Sequence, residues 1–229
     1  MSSARCFAVL MFVLIALVAG AAQADVRDDE IAECRPGEIE TWGDGRDGPA
    51  ARHGNEPLRF EYRHAGAPAW FSDAEVFNAL RRAVNEWSRC GVPAELGRAD
   101  GRASAGAIVV DWSDAGARRN FGLADVGQRR LSLGPGAFAL LQQRNPRYPA
   151  VQILQMTISH ELGHFYGLMA HSKRCVDVMS YYHDGQGGQC SLRDRAAMVR
   201  GVEYRAQLPT ACDIARCRMA NSAAGGIKP

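Results

Sequence analysis

His160-Glu161-Leu162-Gly163-His164-Phe165-Tyr166-Gly167-Leu168-Met169-Ala170-His171 places three imidazoles and one carboxylate within twelve residues, and the rest of the chain is read outward from it. At about 100° per residue, positions i and i+4 of an α-helix lie about 40° apart on one face, so His160 and His164 can grip one metal together. Glu161 is badly placed to join them as a ligand but can reach a water at the metal, which makes it the candidate general base. Gly167 stands three residues after His164, where a helix must end with positive φ and the chain must turn, and a third histidine follows soon after.

Upstream, Arg144-Asn145-Pro146-Arg147-Tyr148-Pro149 is a turn-rich entry. Behind it Ile153, Leu154, Ile158, Leu162 and Phe165 recur at helical spacing, so this helix buries one side and turns its histidines toward a cleft on the other. Leu58 to Arg63 alternates apolar and polar residues as a strand with one buried face does. Ser72-Asp73-Ala74-Glu75 has the spacing of a capping box, with Val76, Phe77, Leu80, Ala83, Val84 and Trp87 as the apolar stripe of a long helix behind it. That helix stops near Cys90-Gly91-Val92-Pro93. Ile108 to Trp112 and Arg130 to Leu133 are further strands, the second ended by Gly134-Pro135-Gly136 and expected at the sheet edge beside the cleft. An extended peptide could add to that edge as another strand. Ser191 with Asp194 has capping-box spacing and predicts a last helix to about Tyr204.

The metal stretch is followed by Val178-Met179-Ser180-Tyr181-Tyr182. Together the two resemble the metzincin clan of zinc endopeptidases, whose motif His-Glu-x-x-His-x-x-Gly-x-x-His is followed by a methionine-containing turn beneath the metal. The strand and helix pattern over roughly Pro57 to Arg205 is similar to the matrixin catalytic domain. The resemblance implies an α+β fold: a twisted, mainly parallel sheet with an antiparallel edge strand, two long helices, a Met turn and a C-terminal helix. It implies one catalytic zinc on His160, His164 and a third histidine, with Glu161 as base. Tyr181 takes the position from which some metzincins supply a tyrosine to the oxyanion, and the alternative is that it merely packs. The family's third histidine would fall at Ala170, whereas this chain has it one residue later, at His171. The interval from His171 to Met179 agrees with the matrixin spacing, so His171 is the expected ligand. A site completed by water or His183, and one using Glu203, are the alternatives. No histidine lies between His64 and His160, so the second, structural zinc of animal matrixins is not expected.

Met1 to Ala24 has a charged start at Arg5, an apolar run from Phe7 to Val18 and a small-residue site at Ala22-Gln23-Ala24, and reads as a secretory signal cleaved after Ala24. An uncleaved anchor is the competing reading. A secreted or periplasmic chain, soluble once the signal is cut, is the expectation. Without the signal, 26 basic side chains face 25 acidic ones, which argues against nucleic acid as a partner; a peptide or protein substrate and a monomer are expected. Residues 25–56 are rich in Gly, Asp and Arg without apolar period and read as a loose extension, residues 57–205 as the catalytic domain and 206–229 as a tail. Asp44-Gly45-Arg46-Asp47-Gly48 looks like part of a calcium loop but lacks its closing Glu, so calcium is without support and a solvated turn is expected.

Six cysteines remain after the signal, and an even number in an exported chain reads as disulfides. Of the fifteen pairings, Cys34–Cys90, Cys175–Cys190 and Cys212–Cys217 are preferred, the last two for their short loops. Arg89-Cys90-Gly91-Val92-Pro93 closely resembles the matrixin cysteine switch, but it lies inside the domain, where a cap and turn with a disulfide cysteine is expected.

Overall fold

A computed structural model describes residues 26–99, 101–198 and 202–222. The expected signal, Met1 to Ala24, lies outside them. An α+β fold is observed. Five strands, β1 (Leu58–Tyr62), β2 (Ala94–Arg98), β3 (Ile108–Trp112), β4 (Gly122–Asp125) and β5 (Arg130–Leu133), form one sheet in the order β2-β1-β3-β5-β4, parallel except for β4. The helices are α1 (26–32), α2 (Asp73–Ser88), α3 (Asp114–Ala117), α4 (Pro135–Arg144), α5 (Ala150–Phe165) and α6 (Ala211–Ser222).

The elements with the strongest patterns form where the sequence places them. Ser72 caps α2 by accepting from Glu75 N, and Glu75 Oε2 accepts from Ser72 N at 2.9 Å, the reciprocal pair of a capping box. The apolar stripe of α2 packs on α5, with Trp87 fully buried and its Nε1 donating to Ser159 O at 2.8 Å. Truncating such an aromatic costs about 3–5 kcal/mol. Helix α5 is buried on nearly every side from Ile153 to Gly163, so it is a central helix rather than one with a solvated face. Likewise β1 sits between β2 and β3, and even Glu61 is buried there, accepting from Ser104 N at 3.0 Å.

Several expectations are corrected. The sheet edge beside the cleft is β4, not Arg130–Leu133, which is covered on its far side by β4 itself. Gly134-Pro135-Gly136 does more than end β5: Pro135 occupies the first turn of α4, where its missing N–H costs nothing, and Asp114 Oδ1 accepts from Gly136 N at 2.8 Å. No helix opens at Ser191. Its backbone is taken by pairing, Ser191 O accepting from Cys175 N and Ser191 N donating to Lys173 O, so Asp194 caps only a 3₁₀ turn at Arg195–Ala197. The C-terminal helix comes later, as α6, within the stretch expected to be a tail. Its Ile214 and Cys217 join the main core.

The disulfides are Cys34–Cys212, Cys90–Cys217 and Cys175–Cys190, so one of the three preferred pairs forms. Cys212 and Cys217 are five residues apart on α6, which turns their side chains about 140° from each other and sends them to different neighbours. Three disulfides fit an oxidising compartment, and among the described residues no helix is long and apolar enough to cross a membrane.

Residues 26–56 are not a loose extension. Glu30 is buried and accepts from Tyr204 Oη at 2.6 Å and from Arg193 N at 2.7 Å. Further on, Trp42 N donates to His171 O, Gly48 N to Gly167 O and Ala51 N to Phe165 O, at 3.0, 2.9 and 2.8 Å. The segment is held by polar groups that satisfy neighbouring loops, which no hydrophobic period reveals.

Candidate metal centre

Helix α5 ends directly beneath the cluster. Tyr166 is its C-cap and Gly167, at φ +98°, reverses the chain; Leu168 N donates to Gly163 O and Gly167 N to His164 O, both at 3.1 Å, closing the carbonyls of the last turn. A Cβ on Gly167 would run into Gly48 O, so both conformation and space require glycine here. The reversal returns the chain to His171, whose ligating atom and those of His160 and His164 all lie within 4.8 Å of one another. Glu203 and His183 stand outside this cluster: Glu203 pairs with Arg205 at 2.8 Å and accepts from Tyr182 Oη, and His183 is exposed.

Each histidine is oriented through Nδ1. That of His160 donates to Val178 O at 2.8 Å and that of His164 to Leu168 O at 2.8 Å, while His171 Nδ1 lies 2.6 Å from Asp44 Oδ2. These partners fix the tautomer with the proton on Nδ1 and leave each Nε2 lone pair free. Burial pushes the His160 ring well below the ordinary histidine pKa, and the nearby His164 and His171 push it further. Burial, then His171, lowers His164 to about 4, and burial lowers His171 although Asp44 opposes it. All three rings are therefore neutral near pH 7, the form that binds a metal.

His171 Nε2 is buried without a hydrogen-bond partner. Such an orphan costs about 1–3 kcal/mol, and a cation among the three nitrogens would satisfy it. Three neutral imidazoles suit zinc with an open fourth position, so the residues present fit the metal expected from sequence. Among the described residues, the other group of possible ligands, Cys34, Glu38 and Cys212, has both sulfurs tied in a disulfide.

Met179 is fully buried, and its Sδ fills the space that a side chain at Gly163 would need. Glu161 is 8% exposed and its Oε2 accepts from Ala124 N of β4 at 2.8 Å. Burial raises its carboxyl to about 7, with the Ala124 N–H opposing the shift. Tyr181 is 46% exposed at the rim, its ring stacked on His171 with centroids 3.7 Å apart. The cleft above them holds about 370 Å³ and is lined by Arg119–Ala124, Met156, Thr157, His160, Glu161, His164, Tyr181 and Arg205. Gly122 lets the edge strand approach, since a Cβ there would stand 2.6 Å from Thr157 Cγ2 and 2.9 Å from Glu161 Cγ.

Sequence reasoning missed two contributors. Strand β4 is four residues with no alternation, Gly-Leu-Ala-Asp, so nothing marks it before the sheet is built. Asp44 and Asp47 do not lie in a solvated turn: Asp44 Oδ1 accepts from His171 N at 2.9 Å, and Asp47 Oδ1 from Met169 N and Ala170 N at 2.9 and 3.1 Å. Their only sequence signal is two aspartates spaced among glycines.

No protein-family profile matches the chain, and no curated protein matches it. Among solved structures, a chain of "GM1 bound form of the ECX AB5 holotoxin" is similar at 15% identity and a TM-score of 0.44, covering 83% of this chain and 92% of that one. The expected membership of the metzincin clan, with a matrixin-like domain, is corrected accordingly: no family profile and no curated protein ties the chain to it. Likeness at that score carries nothing about this chain's chemistry, which rests on the geometry of its own residues.

Proposed function

We propose that this chain is a zinc-dependent hydrolase of peptide bonds, acting inside extended protein or peptide substrates. The observation that carries the reading is the convergence of three Nδ1-anchored, neutral imidazoles, within 4.8 Å of one another, beside a buried carboxylate in an open cleft. Zinc bound there would supply a Lewis acid for water and for the scissile carbonyl.

The chain's own groups account for the rest. Glu161, poised near neutrality by burial, takes the proton of the attacking water and returns it to the leaving amine, the exchange for which a pKa close to the working pH is best suited. The Ala124 N–H holds Oε2 and so aims the carboxylate from the sheet edge. Tyr181 stands at the rim with its hydroxyl available to the developing oxyanion. As the outer strand of the sheet, β4 offers main-chain groups to which an extended peptide can add, giving affinity with little demand on side chains.

Metal analysis with a generic peptide substrate tests this. One zinc per chain, chelator-sensitive cleavage, and loss of cleavage with zinc retained in Glu161→Gln are expected. One zinc without cleavage by the wild type would instead make the cleft a peptide-binding module, and no zinc would overturn the reading altogether.

A further inference from the structure

We propose that Asp44 is a positioning residue of the metal centre, holding His171 by both its ring and its backbone, so that the segment upstream of β1 is a built-in part of the site. The inference rests on the zinc reading above. The loop Leu168–His171 belongs to neither helix nor sheet and leaves three successive backbone N–H groups to be satisfied. Two carboxylates meet all three. Asp47 Oδ1 takes Met169 N and Ala170 N, and Asp44 Oδ1 takes His171 N. Asp44 Oδ2 then receives His171 Nδ1 at 2.6 Å, the one imidazole of the three oriented by a carboxylate rather than by a backbone carbonyl.

The fit is close on both strands of this contact. Trp42 N donates to His171 O at 3.0 Å, and Lys173 N to Glu40 O at 2.9 Å, so the two backbones pair antiparallel at Thr41 and Ser172, directly after the histidine. Gly45 lies against the loop so tightly that a Cβ would stand 2.6 Å from Met169 C. Asp47 is fixed in turn by Arg216 of α6, which donates to Asp47 Oδ1 at 2.7 Å and also to Ala170 O. Helix α6 is covalently tied to Cys34 and Cys90. His164 is held by Leu168 O, four residues on, and His160 by Val178 O, eighteen residues on, whereas His171 depends on a residue 127 positions earlier. A carboxylate accepting from Nδ1 keeps the proton there and the Nε2 lone pair toward the centre, and losing such a partner typically weakens metal binding about 10–100-fold.

The test uses the full chain in wild-type form and as Asp44→Ala and Asp44→Asn, with zinc affinity read by competition against a chromogenic chelator. Loss of affinity of about 10–100-fold is expected in Asp44→Ala. A smaller loss is expected in Asp44→Asn, whose single oxygen must serve two N–H groups. Nitrogen NMR of the metal-free protein should show His171 protonated on Nδ1 in the wild type and a mixture of tautomers in both variants, which a purely structural role would not produce. Zinc affinity within twofold of wild type together with an unchanged His171 tautomer overturns the proposal. If Asp44→Ala does not fold, Asp44→Asn decides by the same readouts. Wild-type protein that binds no zinc would refute the function itself, whereas tight wild-type binding with indifferent variants refutes only the role of Asp44.

Discussion

Gly163→Ala sets two effects of opposite sign against each other at the centre of α5. By intrinsic propensity alone, alanine in a helix interior is favoured over glycine by about 1 kcal/mol. Here the added Cβ would overlap Met179 Sδ, stand 2.8 Å from Trp87 Cζ2 and 3.1 Å from Met179 Cε, and both neighbours are fully buried. Trp87 cannot yield cheaply because its Nε1 is held by Ser159 O, so Met179 must move. Overpacking of this kind costs about 1–3 kcal/mol, and with two side chains in the way the upper part of that range applies, leaving a net loss of about 1–2 kcal/mol. For a chain of this size that lowers Tm by about 2–8 °C. Val178, whose carbonyl orients His160, is the neighbour of Met179, so zinc affinity should fall as well. Thermal unfolding of the metal-free protein and chelator competition read the two effects separately. Adding Met179→Ala to Gly163→Ala should restore part of the loss relative to the sum of the single changes. An alanine variant as stable as the wild type, or more stable, would refute the claim that Met179 packs directly on the histidine helix.

Other outcomes follow from the same geometry. Gly122→Ala should push β4 away from Glu161 and lower kcat/KM about 10–100-fold with zinc content unchanged, as measured by steady-state cleavage and metal analysis. Replacing Cys34 and Cys212 together by serine, with Cys90–Cys217 intact, opens a loop of about 60 residues, a chain-entropy effect of about 4 kcal/mol, so Tm should fall by about 8 °C or more. Opening the 15-residue Cys175–Cys190 loop should cost less, about 3 kcal/mol. In the loop that carries Met179, burial and then Asp213 raise Asp177 to about 7, and burial raises Asp213 too. The folded state therefore keeps a proton that the unfolded chain releases near pH 4. The contribution of this pair to stability is then full below about pH 4 and falls as pH rises toward 7, by at most about 1.4 kcal/mol per pH unit. Urea titrations at several pH values should show that slope, and Asp213→Asn should flatten it.

The candidate site was legible where it is local. His160, Glu161 and His164 follow from helical geometry, and Gly167 from the need to reverse the chain, so four residues specify most of the centre without any tertiary information. Strands β1 and β5 and helices α2 and α5 were legible because each carries a period of apolar residues, and β3 because its β-branched residues cluster. What the sequence hid is held by long-range polar contacts. Asp44 and Asp47 carry no periodicity and acquire meaning only when the loop Leu168–His171 is brought beside them. Arg205 reaches the cleft only through the path of the chain after Met179. The disulfides misled through a rule of short loops: Cys212 and Cys217 are close in number but point apart once α6 forms. Spacing after Asp194 promised a helix that Ser191 forfeits to a neighbouring strand pairing.

The two long disulfides also change what a broken backbone means for this molecule. Cys34–Cys212 and Cys90–Cys217 both end on α6, so the chain between them forms a closed covalent circuit. A single cut anywhere from Met179 back to the segment carrying Asp44 would leave one molecule of unchanged mass apart from the water added. Fragments would separate only on reduction, and until then a nicked chain can keep every group of the centre in place.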